Sequence, residues 1–165
     1  MAVLLKIWAY DRPGVLDRIA GLIRRKGWNI STLVAAGVDG DLSQIDIALE
    51  GRGLNVRDLG ESLLEMDAIR GLEECTDQSH LLREMMLFCL HADGREAAEI
   101  TDSAVLATIE QAQLVAEHEG RRYLEYSGPP SEVKNLMRLL RSWGIRCVHT
   151  GALALALTEG GNSVE

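Results

Sequence analysis

Aromatic residues are scarce: three tryptophans, three tyrosines and one phenylalanine make up 4% of the 165 residues. A surface that stacks the bases of single-stranded nucleic acid needs more of them. Basic charge is short as well. Seventeen Lys and Arg face twenty-five Asp and Glu, a formal net charge of −8 that repels phosphate backbones. The densest basic cluster, Arg24–Arg25–Lys26, falls in the last turn of an expected helix, where cations suit the helix dipole. Cys75, Cys89 and Cys147 are odd in number and form no paired motif, so they read as reduced thiols of a cytoplasmic protein. No run approaches the roughly 20 apolar residues of a membrane span. The opening "MAVLLKIWAYDRPG" is too short an apolar stretch for a secretory leader. Neither nucleic acid nor a membrane is therefore expected as a partner. No nucleophile elbow, Walker loop or zinc motif occurs in the sequence.

Apolar residues supply 47% of the chain, enough for a core, and their spacing gives one order of elements twice. Residues 2–10 read as a strand. Residues 14–26 set Val15, Leu16, Ile19, Leu22 and Ile23 on one helical face, with Gly27 as a C-terminal cap. A second strand covers 28–37 and Asp39–Gly40–Asp41 makes a tight turn. The next strand alternates Ile45, Ile47 and Leu49 against Gln44, Asp46 and Ala48. A helix over 55–66 and a strand over 68–75 complete a βαββαβ unit. The second half repeats it with a strand at 83–91 and a helix at 94–107 that turns Ala97, Ile100, Ala104 and Leu106 inward. A hairpin of 112–119 and 121–127 follows around Gly120, then a helix capped by Ser131 and running to Trp143, then a closing strand at 145–158. The expected class is α+β, with two ferredoxin-like βαββαβ domains over 1–76 and 84–158. A polar linker at 77–83 joins them, and a flexible tail at 159–165 follows. Right-handed crossovers fix each sheet order as 4-1-3-2, with helices on one face and the other face uncovered.

Between the first strand and the first helix stands Asp11–Arg12–Pro13–Gly14. A helix start presents unpaired N–H groups and the positive end of its dipole. Pro13 pre-sets the first turn, and Gly14 lets a group sit directly against the backbone. The result is a pocket for a carboxylate, with Asp11 available to an ammonium. Those two groups one carbon apart define an α-amino acid. The same junction is also ordinary architecture for a strand-to-helix turn.

Asp11–Arg12–Pro13–Gly14–Val15–Leu16, followed by Gly21–Leu22 and Gly27–Trp28–Asn29–Ile30 in a βαββαβ order, resembles the ACT domain. Through "GLIRRKGWNISTL" and "LLREMML" the resemblance extends, over residues 2–157, to the small regulatory subunits of acetolactate synthase (acetohydroxyacid synthase). It implies a regulator rather than an enzyme, with no cofactor of its own. Its partner would be a large catalytic subunit carrying thiamine diphosphate, Mg and FAD. The resemblance also implies a homodimer in which ACT domains pair edge to edge and bind a branched-chain amino acid, valine foremost, at the seam. The effector site it implies comprises Asp11, Arg12, Pro13, Gly14, Val15 and Leu16 together with Asn29 and Ile30, completed by the partner chain. The family usually carries asparagine at position 11. Asp11 keeps the acceptor capacity but has no amide donors, so it favours the ligand's ammonium and disfavours its carboxylate. The other reading of the same motifs is a free-standing, double-domain amino-acid sensor with a different partner.

Four histidines occur, at 80, 91, 118 and 149. The expected sheet order brings the end of the strand carrying His91 near the start of the strand carrying His149, but two imidazoles lack the further ligands of a zinc site. The carboxylates at Glu73 and Glu74, Glu117 and Glu119, and Asp39 and Asp41 read as solvated strand ends and turns, not as a tuned acid–base pair. "GALALALT" (151–158) alternates cleanly and reads as a core or dimer-interface strand. No catalytic residue and no metal site is expected.

Overall fold

The computed structural model describes residues 2–38, 40–51, 55–91 and 103–157. The order is β1 (Ala2–Tyr10), α1 (Val15–Arg25), β2 (Asn29–Gly37), β3 (Leu42–Glu50), α2 (Val56–Leu64), β4 (Ile69–Cys75), β5 (His80–His91), α3 (Ser103–Glu110), β6 (Gln113–His118), β7 (Arg121–Gly128), α4 (Pro130–Ser142), β8 (Cys147–His149) and β9 (Leu153–Ala156). Two compact units result, one of the chain up to Leu82 together with the chain from Ala152, the other from Arg83 to Gly151. The sheet orders β2-β3-β1-β4 and β6-β7-β5-β8 are the expected 4-1-3-2 arrangement in both halves.

In the first unit, strand alternation sends Leu5, Ile7 and Ala9 of β1 and Ile45, Ile47 and Leu49 of β3 to one face. There they pack on Val15, Ile19 and Ile23 of α1 and on Leu59 and Leu63 of α2. Helix α1 closes as its glycine requires. Gly27 takes φ 81°, and Trp28 N donates to Ile23 O at 3.1 Å. Asn55 starts α2, its side chain accepting from Asp58 N at 3.3 Å. The second core joins Met86, Phe88 and Leu90 of β5 with Leu124 of β7 and Val133, Leu136 and Leu140 of α4. The hairpin turns at Glu119 (φ 49°) and Gly120 (φ 71°), the positive φ pair that a two-residue connection needs.

Several boundaries differ from expectation. The linker expected at 77–83 is mostly strand: Ser79 N and His80 N donate to Thr76 O at 3.1 and 2.8 Å, and β5 begins at His80. Polarity misleads there, because His80 is buried, with Nδ1 2.8 Å from Ser79 Oγ. Its Nε2 lies 3.1 Å from Glu73 Oε1 but off the hydrogen-bond axis. The closing strand expected over 145–158 breaks at Gly151 (φ 102°) into β8 and β9, and β9 belongs to the first unit. The second unit, expected to span 84–158, therefore ends at Gly151. Ser131 sits inside α4, and Pro129 holds the N-cap position without a side-chain bond. Of the helix expected over 94–107, the part up to residue 102 lies outside the described residues, and α3 runs on to Glu110. Asp39 and the tail at 159–165 also lie outside them. His149 pairs in register with Met86, not His91. Five residues along β5 separate the two histidines by roughly 16 Å at about 3.3 Å per residue. His149 Nδ1 meets Glu84 Oε1 instead.

The face of the first sheet turned away from its helices, expected to be uncovered, is partly covered by the chain itself. Leu4, Ala48 and Cys75 lie against Ala152, Ala154 and Leu82. Beside them Lys6 and Asp46 face each other across β1 and β3, both buried, with Nζ 3.8 Å from Oδ1. Lys6 Nζ donates to Ala154 O, and Gln44 Nε2 donates to Asp46 Oδ2 at 2.6 Å. Burial pushes the Asp46 carboxyl above the usual range, against the pull of the Gln44 bond and of the Lys6 and His80 charges. Asp46 thus holds its proton more firmly in the folded chain than in the unfolded one. Its contribution to stability is complete below pH 3.8 and is lost as pH rises through the folded value. Denaturant titrations of the parent and of Asp46→Asn should show the parent losing ground to the variant over that rise. A pH-independent difference would contradict the assignment.

Candidate functional site

β1 ends at Tyr10 opposite Leu42, where β3 begins, and β2 ends at Gly37 opposite Ser43. The turn from β1 into α1 and the tip of β2 therefore occupy the same end of the sheet. Between them lies a cavity of about 500 Å³, walled by residues 10–16, by 35–37 and by Ser43 and Ile45. That volume falls within the roughly 300–1,000 Å³ of small-molecule sites.

Gly14 is the N-cap of α1 at φ 83°, so Pro13 stands before the helix rather than in its first turn. The left-handed conformation is what demands glycine here. A Cβ at this position would meet no atom of the described residues within 4 Å, so a side chain would stand in open space at the cavity wall. Val15 N donates to Arg12 O at 3.2 Å. The N–H groups of Leu16 and Asp17 have no partner among the described residues and are the free donors of the helix start. Asp11 N donates to Asp41 O at 2.6 Å, tying the turn to the β2–β3 hairpin. The Arg12 guanidinium lies 4.4 Å from the Tyr10 ring centroid, and its Nη2 is 3.9 Å from Asp41 Oδ2. Both members of that ion pair are exposed, so it adds little stability. The turn thus offers backbone donors to an anion and the Asp11 carboxylate to a cation.

Asp11, Arg12, Pro13, Gly14, Val15 and Leu16 all line the cavity. Asn29 and Ile30 do not. Asn29 pairs with Glu50, which pairs with Ala2, eight residues along β1 from Tyr10. At about 3.3 Å per residue that is roughly 26 Å away within one chain. Ile30 packs partly on the core and Asn29 is exposed. Sequence reasoning missed Tyr10, Ala35, Ala36, Gly37, Ser43 and Ile45 as wall residues. A signal for the β2 residues was present. Sheet order 4-1-3-2 makes β1 and β2 run in the same direction with β3 between them, so both strands end beside the turn. A cavity of about 750 Å³ on the second unit's sheet, lined by Leu87, Val115, Tyr123 and Val148 with Arg141 and Arg146, is larger. It is a mainly apolar sheet face at which no helix start among the described residues supplies free backbone donors.

Residues 5–69 match the family model described as the AHAS small subunit-like ACT domain. The chain is 31% identical, over 147 residues, to the probable acetolactate synthase small subunit of Archaeoglobus fulgidus, an alignment covering 88% of this chain and 90% of that one. It is 29% identical over 160 residues to acetolactate synthase small subunit 2, chloroplastic, of Arabidopsis thaliana, covering 96% of this chain but 33% of the plant protein. The chain thus spans about a third of the plant relative's length. Its fold is similar to that of the Thermotoga maritima acetolactate synthase small subunit, at a TM-score of 0.76 and 18% identity, covering 96% of this chain and 99% of that one.

Proposed function

The chain belongs to the acetolactate synthase small-subunit family, and from that premise we propose that it is a non-catalytic regulator of the enzyme. It binds the large thiamine-dependent subunit, raises its activity and makes it answer to a branched-chain amino acid, valine foremost. The cavity at the β1–α1 turn carries the effector reading. The N–H groups of Leu16 and Asp17 suit a carboxylate, and Asp11 suits an ammonium. Ala35, Ala36 and Gly37 leave room for a short branched side chain.

A second copy completes the site in this reading. β2 is an edge strand of its sheet, and an open edge invites pairing. Two-fold pairing of β2 with its copy runs antiparallel. Centred on Leu33, it sets Asn29 of the partner subunit opposite Gly37 and Ile30 of the partner subunit opposite Ala36. The residues that one chain holds roughly 26 Å from the cavity, at about 3.3 Å per residue, then arrive from the other chain.

Mixing the purified chain with the cognate large subunit tests the regulatory role. The chain alone should form no acetolactate, the mixture should turn over faster than the large subunit alone, and valine should change the rate of the mixture only. An unchanged rate with both components folded would contradict the proposal and leave the free-standing sensor in its place.

A further inference from the structure

We propose that the outward leucines of the β5–β9 ribbon, Leu81, Leu153, Leu155 and Leu157, form the surface that binds the large catalytic subunit. The inference rests on the regulatory role proposed above and gives that role a surface. β9 is paired along its backbone with β5. Leu157 N donates to Ser79 O at 3.0 Å, and Ala154 shares a buried cluster with Leu82. The pairing is therefore antiparallel and sets Leu155 opposite Leu81. All of these residues belong to the first unit. The inner side of the ribbon, Ala152, Ala154 and Leu82, packs on Leu4, Ala48 and Cys75 of the first sheet. Its outer side carries the larger side chains: Leu81, Leu153, Leu155 and Leu157 are 41%, 47%, 67% and 59% exposed. A ribbon shaped only for its own burial would turn leucine in and alanine out. Four leucines held side by side in water by a paired backbone make a contiguous apolar patch, the mark of an interaction site.

Three observations choose the occupant. Charged residues make up 25% of the chain, yet "CVHTGALALAL" (147–157) has no Asp, Glu, Lys or Arg, so the contact it offers is apolar. The residues that follow, "TEGGNSVE", carry one apolar side chain, Val164, and cannot supply a matching face. A second copy is already assigned to the β2 edge, and another self-contact through the leucines would link dimers into larger or open assemblies. A different partner closes the assembly instead. Two-fold pairing at β2 also turns the outer faces of both sheets the same way, so the dimer presents two equivalent leucine patches to one side. Two weak apolar contacts engaged together hold a partner far better than either alone. The patch is remote from the effector cavity. Leu4, beneath the ribbon, is six residues along β1 from Tyr10 at the cavity wall, roughly 20 Å at about 3.3 Å per residue.

The test titrates the full chain into a fixed amount of its cognate large subunit and follows acetolactate formation. Leu155→Lys and, independently, Leu157→Lys place a charge that must lose its water against an apolar partner. Each should raise the concentration for half-maximal activation about tenfold or more. The dimer seen by light scattering and the calorimetric affinity for valine should stay at the parent's values. Activation by both variants at the parent's concentration would overturn the proposal and leave the regulatory role standing. No activation by the parent would remove that role and the surface with it. Loss of the dimer in either variant would assign the leucines to a second copy and overturn the proposal as well. The unaltered parent covers the case in which a variant does not fold. Between about 0.1 M and about 1 M salt the Debye length falls from about 10 to about 3 Å, and an apolar contact should hold its affinity within about twofold. A tenfold loss over that range would make the contact ionic and likewise overturn the proposal.

Discussion

Gly14→Asp should abolish the response to effector while the chain remains folded. The position is left-handed, at φ 83°, and its Cβ would meet no atom of the described residues within 4 Å, so the side chain has room. Strain from placing a residue other than glycine in the left-handed region costs about 1–2 kcal/mol. The new carboxylate stands at the helix start, where the ligand's own carboxylate is proposed to sit. At about 4 Å the repulsion is about 4 kcal/mol at an effective dielectric near 20 and about 1 kcal/mol in bulk water. The first figure is nearly a thousandfold in affinity and the second about fivefold. A site closed over by a second chain should therefore show the large loss, and a site open to solvent only the small one. Gly14→Asn is the matched control. Asparagine tolerates the left-handed region as aspartate does but adds no charge. Calorimetry with valine, leucine and isoleucine on the parent and both variants separates charge from strain. Equal binding by parent and Gly14→Asp would reduce the junction to a turn.

Much of this architecture is legible in the sequence because local chemistry and global pattern agree. Gly27 ends α1 where its periodicity stops, and the positive φ at Gly120 turns the hairpin. Two βαββαβ orders leave one sheet order compatible with right-handed crossovers. The misreadings have identifiable causes. "GALALALT" alternates equally well whichever residue type faces inward, and local pattern cannot say that its alanines lie on a sheet formed far earlier in the chain. His80 reads as part of a polar linker because its burial depends on Ser79 and Glu73. Gly14 reads as room for a ligand's approach, and its backbone angle adds a conformational reason for glycine that the sequence alone does not display. Resemblance groups Asn29 and Ile30 with the junction, and strand direction shows that one chain holds them at the opposite end of the sheet.

That separation makes the central claim directly testable, because a site divided between two chains can be reassembled from two defective ones. Light scattering should first give a dimer for the parent. Asn29→Ala should weaken valine by about fivefold, for one polar contact worth about 1 kcal/mol. Asn29→Trp should block the partner's cavity outright, at an exposed edge position where a strand accepts an aromatic residue. A mixed dimer of Gly14→Asp and Asn29→Trp chains has one site with both defects and one with neither. Random exchange of equal amounts makes about half the dimers mixed, so about a quarter of all sites should recover. The decisive measurement is calorimetry with valine on the equilibrated mixture against each variant alone. The two-chain site predicts no binding by either variant and parent-like affinity at about a quarter of the sites in the mixture. A mixture that binds no better than the sum of its separate components would contradict it.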